Sequence, residues 1–337
     1  MNWLALDIGG ANIKVADGLG YAQSYTFHLW KDSANLAGML RTILAESPAA
    51  DHLAVTMTGE LADCFASKWE GVQFILEAVG CGSDHRHTLV YLVDGRLVST
   101  AAALQSPHLA AASNWRALAQ FAGRFAPLGT ALLVDVGSTT CDVIPLVDGR
   151  PAAQGQTDTQ RLIAGELVYT GVERSPVCAV VSEAPYRGHT CGVAQELFAT
   201  MLDVYLVLEK LPEDPDNRYT ADGRPATKHT AVARLGRMLA ADATEFDESD
   251  AKALAVAAAG AQTAHVAAAI RRVVAAMSDQ PQHAILSGHG DFLATAALDE
   301  AGLEVQTSPL SREFDTALAR VGPAHALAVL ARESVSP

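Results

Sequence analysis

Leu132-Leu133-Val134-Asp135-Val136-Gly137-Ser138-Thr139-Thr140-Cys141-Asp142-Val143-Ile144-Pro145-Leu146-Val147-Asp148-Gly149 reads as two apolar strands around a tight, small, hydroxyl-bearing turn. The second strand runs into Asp148-Gly149, a hairpin signal. The N-terminal run Trp3-Leu4-Ala5-Leu6-Asp7-Ile8-Gly9-Gly10-Ala11-Asn12-Ile13-Lys14-Val15-Ala16 repeats the device. In each copy a strand delivers an Asp at its end and Gly lets the backbone turn. The small residues that follow leave N–H groups and hydroxyls open in a concave anion site.

A carboxylate beside a phosphate repels it unless a divalent cation lies between them, so each hairpin reads as half of a Mg2+ and phosphate clamp. Asp7 and Asp135 are the catalytic, metal-side carboxylates of this reading. Gly9, Gly10, Asn12 and Lys14 form the phosphate side of the first clamp, and Gly137, Ser138, Thr139 and Thr140 that of the second. Lys14 is read as a phosphate cation, with Ile13 and Val15 alternating around it.

With a third glycine motif, Ala284-Ile285-Leu286-Ser287-Gly288-His289-Gly290, the hairpins resemble the sugar kinase, Hsp70 and actin superfamily. The resemblance implies an α/β, two-lobed actin-like ATPase (ribonuclease H-like) fold with a cleft between the lobes. It also implies that Gly288, His289 and Gly290 meet the nucleotide or donor. Leu6 to Lys14, Thr58 to Asp63, Val134 to Pro145, Gly165 to Val172 and Thr220 to Pro225 are similar to a narrower group. These are the hydantoinase/oxoprolinase-like proteins of tetrahydromethanopterin-linked one-carbon pathways.

That group implies a transferase of methanofuran or methylofuran biosynthesis. It would join an aminomethylfuran-methyl diphosphate to the phenol oxygen of a tyramine or tyrosine derivative and release diphosphate. Gly10-Ala11-Asn12 stands where nucleotide-using relatives often have Gly-Thr, which favours a diphosphate other than ATP. The competing readings are an ATP-dependent kinase or hydantoinase-like hydrolase, with ATP as a cofactor beside Mg2+, and a nucleotide-gated interaction protein working by lobe closure.

The chain of 337 residues, 50% hydrophobic, can bury two cores. The expected division is a first lobe over 1–128, a second over 129–312, and a C-terminal helix over 313–337 returning to the first. The boundary falls at Pro127-Leu128-Gly129. A net charge of −14 argues against nucleic-acid and anionic-membrane partners, so any phosphate site must be local. The expected partners are a small diphosphate donor and a phenolic acceptor, with homo-oligomerisation left open.

The N-terminus lacks a secretory pattern, which points to a cytoplasmic location. Ala253 to Ile270, interrupted by Gly260, Gln262, Thr263 and His265, reads as a buried helix and not a membrane span. Five cysteines without a CxxC pair imply no disulfide framework. Cys178, His189 and Cys191 invite zinc but lack a fourth ligand at a familiar spacing.

Two further carboxylates are candidates for the base that takes the phenolic proton. Glu60 follows the strand Leu53 to Met57 directly and is read equally as a helix-start acid. Glu166 is read as base or metal ligand against an exposed acid at an element boundary. Arg224 and Lys228 are expected to bind phosphate, whereas Arg234 and Arg237 read as a solvated helix face. Apolar spacing predicts helices over 32–46, 111–125 and 194–208, and a strand over 303–305.

Overall fold

A computed structural model describes residues 2–312 and 320–334. Six strands form the first sheet: β1 (Trp3–Ile8), β2 (Asn12–Ala16), β3 (Ala22–Thr26), β4 (His52–Met57), β5 (His87–Tyr91) and β6 (Leu97–Ser99), in the order β3-β2-β1-β4-β5-β6. β1 pairs antiparallel with β2 and parallel with β4, and all six of its residues are buried. A strand covered on both faces reads as a continuous apolar run, and Trp3 to Ile8 does so except at Asp7.

The second sheet repeats this plan with β7 (Thr130–Val136), β8 (Cys141–Val147), β9 (Arg150–Pro151), β10 (Leu167–Val168), β13 (His283–Gly288) and β14 (Gln306–Pro309). Its order is β10-β8-β7-β13-β14, with β9 paired to β8. Asp148 and Gly149 have φ of 47° and 71°, the two positive values that let this short turn follow the strand twist. A small ribbon, β11 (Glu183–Tyr186) against β12 (His189–Gly192), completes the strands.

The helix Glu248–Ala275 is long and apolar enough to cross a membrane by length and composition. Here Ala251, Leu254, Ala255, Ala258, Val266 and Ile270 are buried in the core of the second sheet. Its polar interruption has a use: Gln262 donates to Thr170 Oγ1 at 2.7 Å and to the Gly171 carbonyl at 2.9 Å. The helix Gly322–Ser334 packs on the helix Asn114–Ala122 and on β1, β2 and β4.

Three local expectations are corrected. The helix over 194–208 begins only at Met201, because Thr200 is held by a bridge to Pro176 and forms a capping box with Asp203. The helix over 32–46 is broken by a 3-10 turn, Ser33–Asn35, so its regular part is Leu36–Glu46. The last strand starts at Gln306, whose N–H bonds the Gln282 carbonyl, since Leu303 still closes the preceding helix through Leu298. The first part of the expected C-terminal helix, 313–319, lies outside the described residues.

Candidate active site

The two Asp-x-Gly turns are built on the same register. Asp7 stands opposite Lys14 and Asp135 opposite Asp142, one pair before each strand end. Gly9 N–H donates to the Asn12 carbonyl at 2.9 Å, and Gly137 N–H to the Thr140 carbonyl at 2.9 Å. The Lys14 charge reaches Asp7 on the first sheet and also Asp135, Asp142 and Glu173 of the second half. The turns therefore face one another across one cleft.

Burial holds the Asp7 carboxyl above its ordinary range, against the pull of Lys14 and of a hydrogen bond from Asn114. Asn114 Nδ2 lies 3.4 Å from Asp7 Oδ2, and Oδ1 has no partner among the described residues. Asp135 is partly buried, and loss of water together with the Asp142 charge raises its pKa to about 6. Asp142 is itself raised by burial but ion-paired with Arg161, whose guanidinium stacks 4.3 Å over the Trp115 ring.

Among the described residues no group of three or more His, Cys, Asp or Glu converges as a metal cage. Mg2+ takes one or two carboxylates and completes its shell with waters and phosphate oxygens. The unpartnered oxygen of Asp7, with Asp135 across the cleft, fits that donor set.

The segment after β10 braces the second turn: Val172 N–H donates to Gly137 O at 3.1 Å, and Glu173 and Arg174 N–H to Ser138 O at 3.1 and 2.9 Å. The Gly288-His289-Gly290 turn joins it. Gly288 pairs with Val136 at φ 83°, and a Cβ there would lie 2.1 Å from the Val136 carbonyl oxygen, so only glycine fits. Ser287 bonds Asp135, and His289 Nε2 lies 3.0 Å from Glu173 Oε1, turned inward and not toward solvent.

Glu60 stands directly behind the first turn, since Thr58 and Gly59 both donate to Ile8 O at 3.0 Å. The helix Lys68–Gly82 presses on it so closely that a Cβ at Gly71 would lie 2.0 Å from Glu60 O. Only 1% of Glu60 is exposed, and burial raises its pKa to about 7. Its Oε2 has no partner among the described residues. Ala112, which donates its backbone N–H to this carboxyl, and Lys68, whose charge acts on it, line a cavity of about 390 Å3. Trp69 and His108 form more of its wall, and Thr157 and Thr159 close it from the second half. Lys68 Nζ spans the same gap to Asp158 Oδ2 at 2.8 Å.

Glu166 requires a correction. Gln154 N–H donates to its Oε1 at 2.5 Å and Gly155 N–H to its Oε2 at 3.0 Å, so both oxygens are committed to holding a loop. It lines a separate pocket with Pro145 and Met277. Glu166→Ala would strand two backbone donors at about 1–3 kcal/mol each. The expected result is a lower denaturation midpoint with kcat per folded molecule retained, read by chemical denaturation beside active-site titration.

Arg224 and Lys228 are each paired with an acid of the second half: Arg224 sits 3.8 Å from Asp222, and Lys228 Nζ 2.9 Å from Glu209. Arg234 is no solvated residue: it is fully buried between Asp203 and Asp222, at 2.7 and 3.0 Å. The buried Asp203 of the capping box needs that countercharge. Arg237 stays half-exposed at 3.3 Å from Asp222. The ribbon sets His189 opposite Tyr186 and Cys191 opposite Ala184, while Cys178 lies on the short helix Val177–Val180.

Asn114, Ser287 and the Asp142–Arg161 pair escape the sequence reading. Only Asp142 carries a signal there, since aligning the two hairpins puts it where Lys14 stands in the first.

Comparison with known proteins gives the family and the fold. Residues 51–326 match the family described as Hydantoinase/oxoprolinase. A protein of Methanocaldococcus jannaschii named (4-{4-[2-(gamma-L-glutamylamino)ethyl]phenoxymethyl}furan-2-yl)methanamine synthase is 34% identical over 244 residues, 71% of this chain and 72% of that protein. A namesake from Methanococcus vannielii is 36% identical over 125 residues, 37% of this chain and 56% of its own length.

Among solved structures, the nucleotide-free acetone carboxylase superposes with a TM-score of 0.51 at 12% identity, covering 94% of this chain and 51% of that one. The chain thus spans about half the length of that relative. The polyphosphate/ATP-glucomannokinase of Arthrobacter sp. strain KM gives a TM-score of 0.45 at 14% identity over 98% and 99% of the two chains. The fold is that of the two-lobed actin-like ATPases.

Proposed function

The chain belongs to the hydantoinase/oxoprolinase family, and from that premise we propose a transferase of methanofuran-type cofactor biosynthesis. It joins an aminomethylfuran-methyl diphosphate to the phenol oxygen of a tyramine or tyrosine derivative and releases diphosphate. Relatives named for a phenoxymethyl-furan product support the reading. The observation that carries it is Glu60, a buried carboxylate with a pKa of about 7 beside a cavity next to a phosphate-type hairpin.

In this reading the phenol oxygen attacks the furan methylene carbon. The new O–C bond forms, the C–O bond to diphosphate breaks, and the phenolic proton passes to the Glu60 carboxylate. A base near neutrality suits that transfer at physiological pH. The largest developing charge is on the departing diphosphate, and fixed donors aimed at it lower the barrier most. Lys14, the N–H group of Gly10, and the hydroxyls of Ser138, Thr139 and Thr140 supply them. Mg2+ held by Asp7 and Asp135 would add Lewis-acid neutralisation of the same phosphates.

The test is a mass-spectrometric assay with Mg2+, the furan diphosphate and either phenolic acceptor, run beside ATP in place of the furan donor. Ether product with released diphosphate is expected. ADP or a phosphorylated product, formed only with ATP, would instead support a kinase or hydrolase.

A further inference from the structure

Beside the two turns lies a group of side chains that the reaction above does not use. The His28 ring packs against Trp30, centroids 4.7 Å apart, and meets the Tyr219 ring edge-on at 5.0 Å. The Arg174 guanidinium stands 5.6 Å from the Trp30 ring centre. His28 and Trp30 come from the segment after β3, whereas Arg174 and Tyr219 come from loops of the second half, so the cluster closes across the cleft. Tyr219 is 64% exposed, a large aromatic surface left open to water.

The backbone ties this cluster to both phosphate turns. Leu29 N–H, between His28 and Trp30, donates to Gly10 O at 2.9 Å, and Arg174 N–H donates to Ser138 O at 2.9 Å. A ring held here therefore sits close to whatever anion the turns bind. In the diphosphate donor, one methylene separates the ring from its diphosphate. The phenolic ring must instead bring its oxygen to Glu60, whose neighbours Ala112 and Lys68 line the other cavity.

Resting on the reaction proposed above, we infer that Trp30 and Tyr219, with His28 and Arg174, form the subsite for the flat ring of the donor. The ring loses water against the open Tyr219 ring and the part-exposed Trp30 ring while its diphosphate is held by the turns. Aromatic contacts of this kind change affinity by about ten- to a hundredfold when truncated.

Trp30→Leu and Tyr219→Leu test it; the second lies in an exposed loop, where folding is spared. Each variant should raise the KM for the furan diphosphate about ten- to a hundredfold, with the acceptor KM and the affinity for inorganic pyrophosphate unchanged. Calorimetric titration with the aminomethylfuran alcohol, in the presence of pyrophosphate, reads the same subsite without turnover. The wild type should bind it and both variants at least about tenfold more weakly. Equal binding by wild type and variants, no binding by the wild type, or a rise in the acceptor KM would overturn the assignment. Alcohol binding lost in the variants, with no ether product from the wild type, would leave the subsite standing and reject the coupling reaction instead.

Discussion

Asp135→Asn should lower kcat/KM by about 10³-fold or more while the protein unfolds at no lower a temperature than the wild type. The two halves of this result have separate causes. Asparagine keeps the shape and the contact with Ser287 but cannot supply the negative oxygen that a divalent cation needs beside a phosphate. Stability moves the other way. Burial and Asp142 raise the Asp135 pKa to about 6 from an ordinary 3.8. The folded protein therefore holds this proton more tightly than the unfolded chain. That stabilisation is full below about 3.8, falls away as pH rises through about 6, and is absent at pH 8. A neutral amide removes the cost of the buried charge at pH 8. Turnover assays and thermal scans at pH 8 check both halves, and wild-type-like turnover would remove the clamp argument.

Glu60→Gln should cost about 10²–10⁴-fold in kcat, the usual range for a general base. It should also erase a pH dependence. With a pKa of about 7, Glu60 is protonated and inert as a base at pH 6, and becomes competent as pH rises through neutrality. Wild-type kcat should thus rise between about pH 6.5 and 7 and level off above it, while the Gln variant loses this limb and keeps only the one that Asp135 imposes near pH 6. A variant that keeps the rising limb would assign the limb to another group; the helix-start reading of Glu60 does not hold, since the helix Lys68–Gly82 is capped by Ser67 and its first-turn acid is Glu70.

The repeated hairpin was legible because its physics is local: apolar strand, Asp, Gly, small residues. Both copies stand where the motif puts them, and the glycine turn after β13 joins the second. Long helices were legible in place but not in their ends. Residues 194–199 have helical apolar spacing, yet the Thr200 bridge to Pro176 is a long-range contact that no local window contains.

The same limit explains the charged residues. Glu166 and Glu60 look alike in sequence, each directly after a glycine at the boundary of a strand-like run. What separates them is which backbone N–H groups arrive from elsewhere: Gln154 and Gly155 saturate one, and Ala112 alone reaches the other. Arg234 was misread for a related reason, since its partner Asp203 lies 31 positions away.

The repeat is geometric and not electrical. At equivalent register the first hairpin presents the cation Lys14 and the second the acid Asp142. Asp142 is met by the buried Arg161 guanidinium whereas the Lys14 ammonium points to the shared cleft, so a molecule with one anionic end and one uncharged end is biased toward the wall that carries the ammonium. Turning that molecule end for end costs energy, so the cleft has a built-in compass. Duplication of a hairpin supplies two walls, and a single inverted charge gives the space between them a direction.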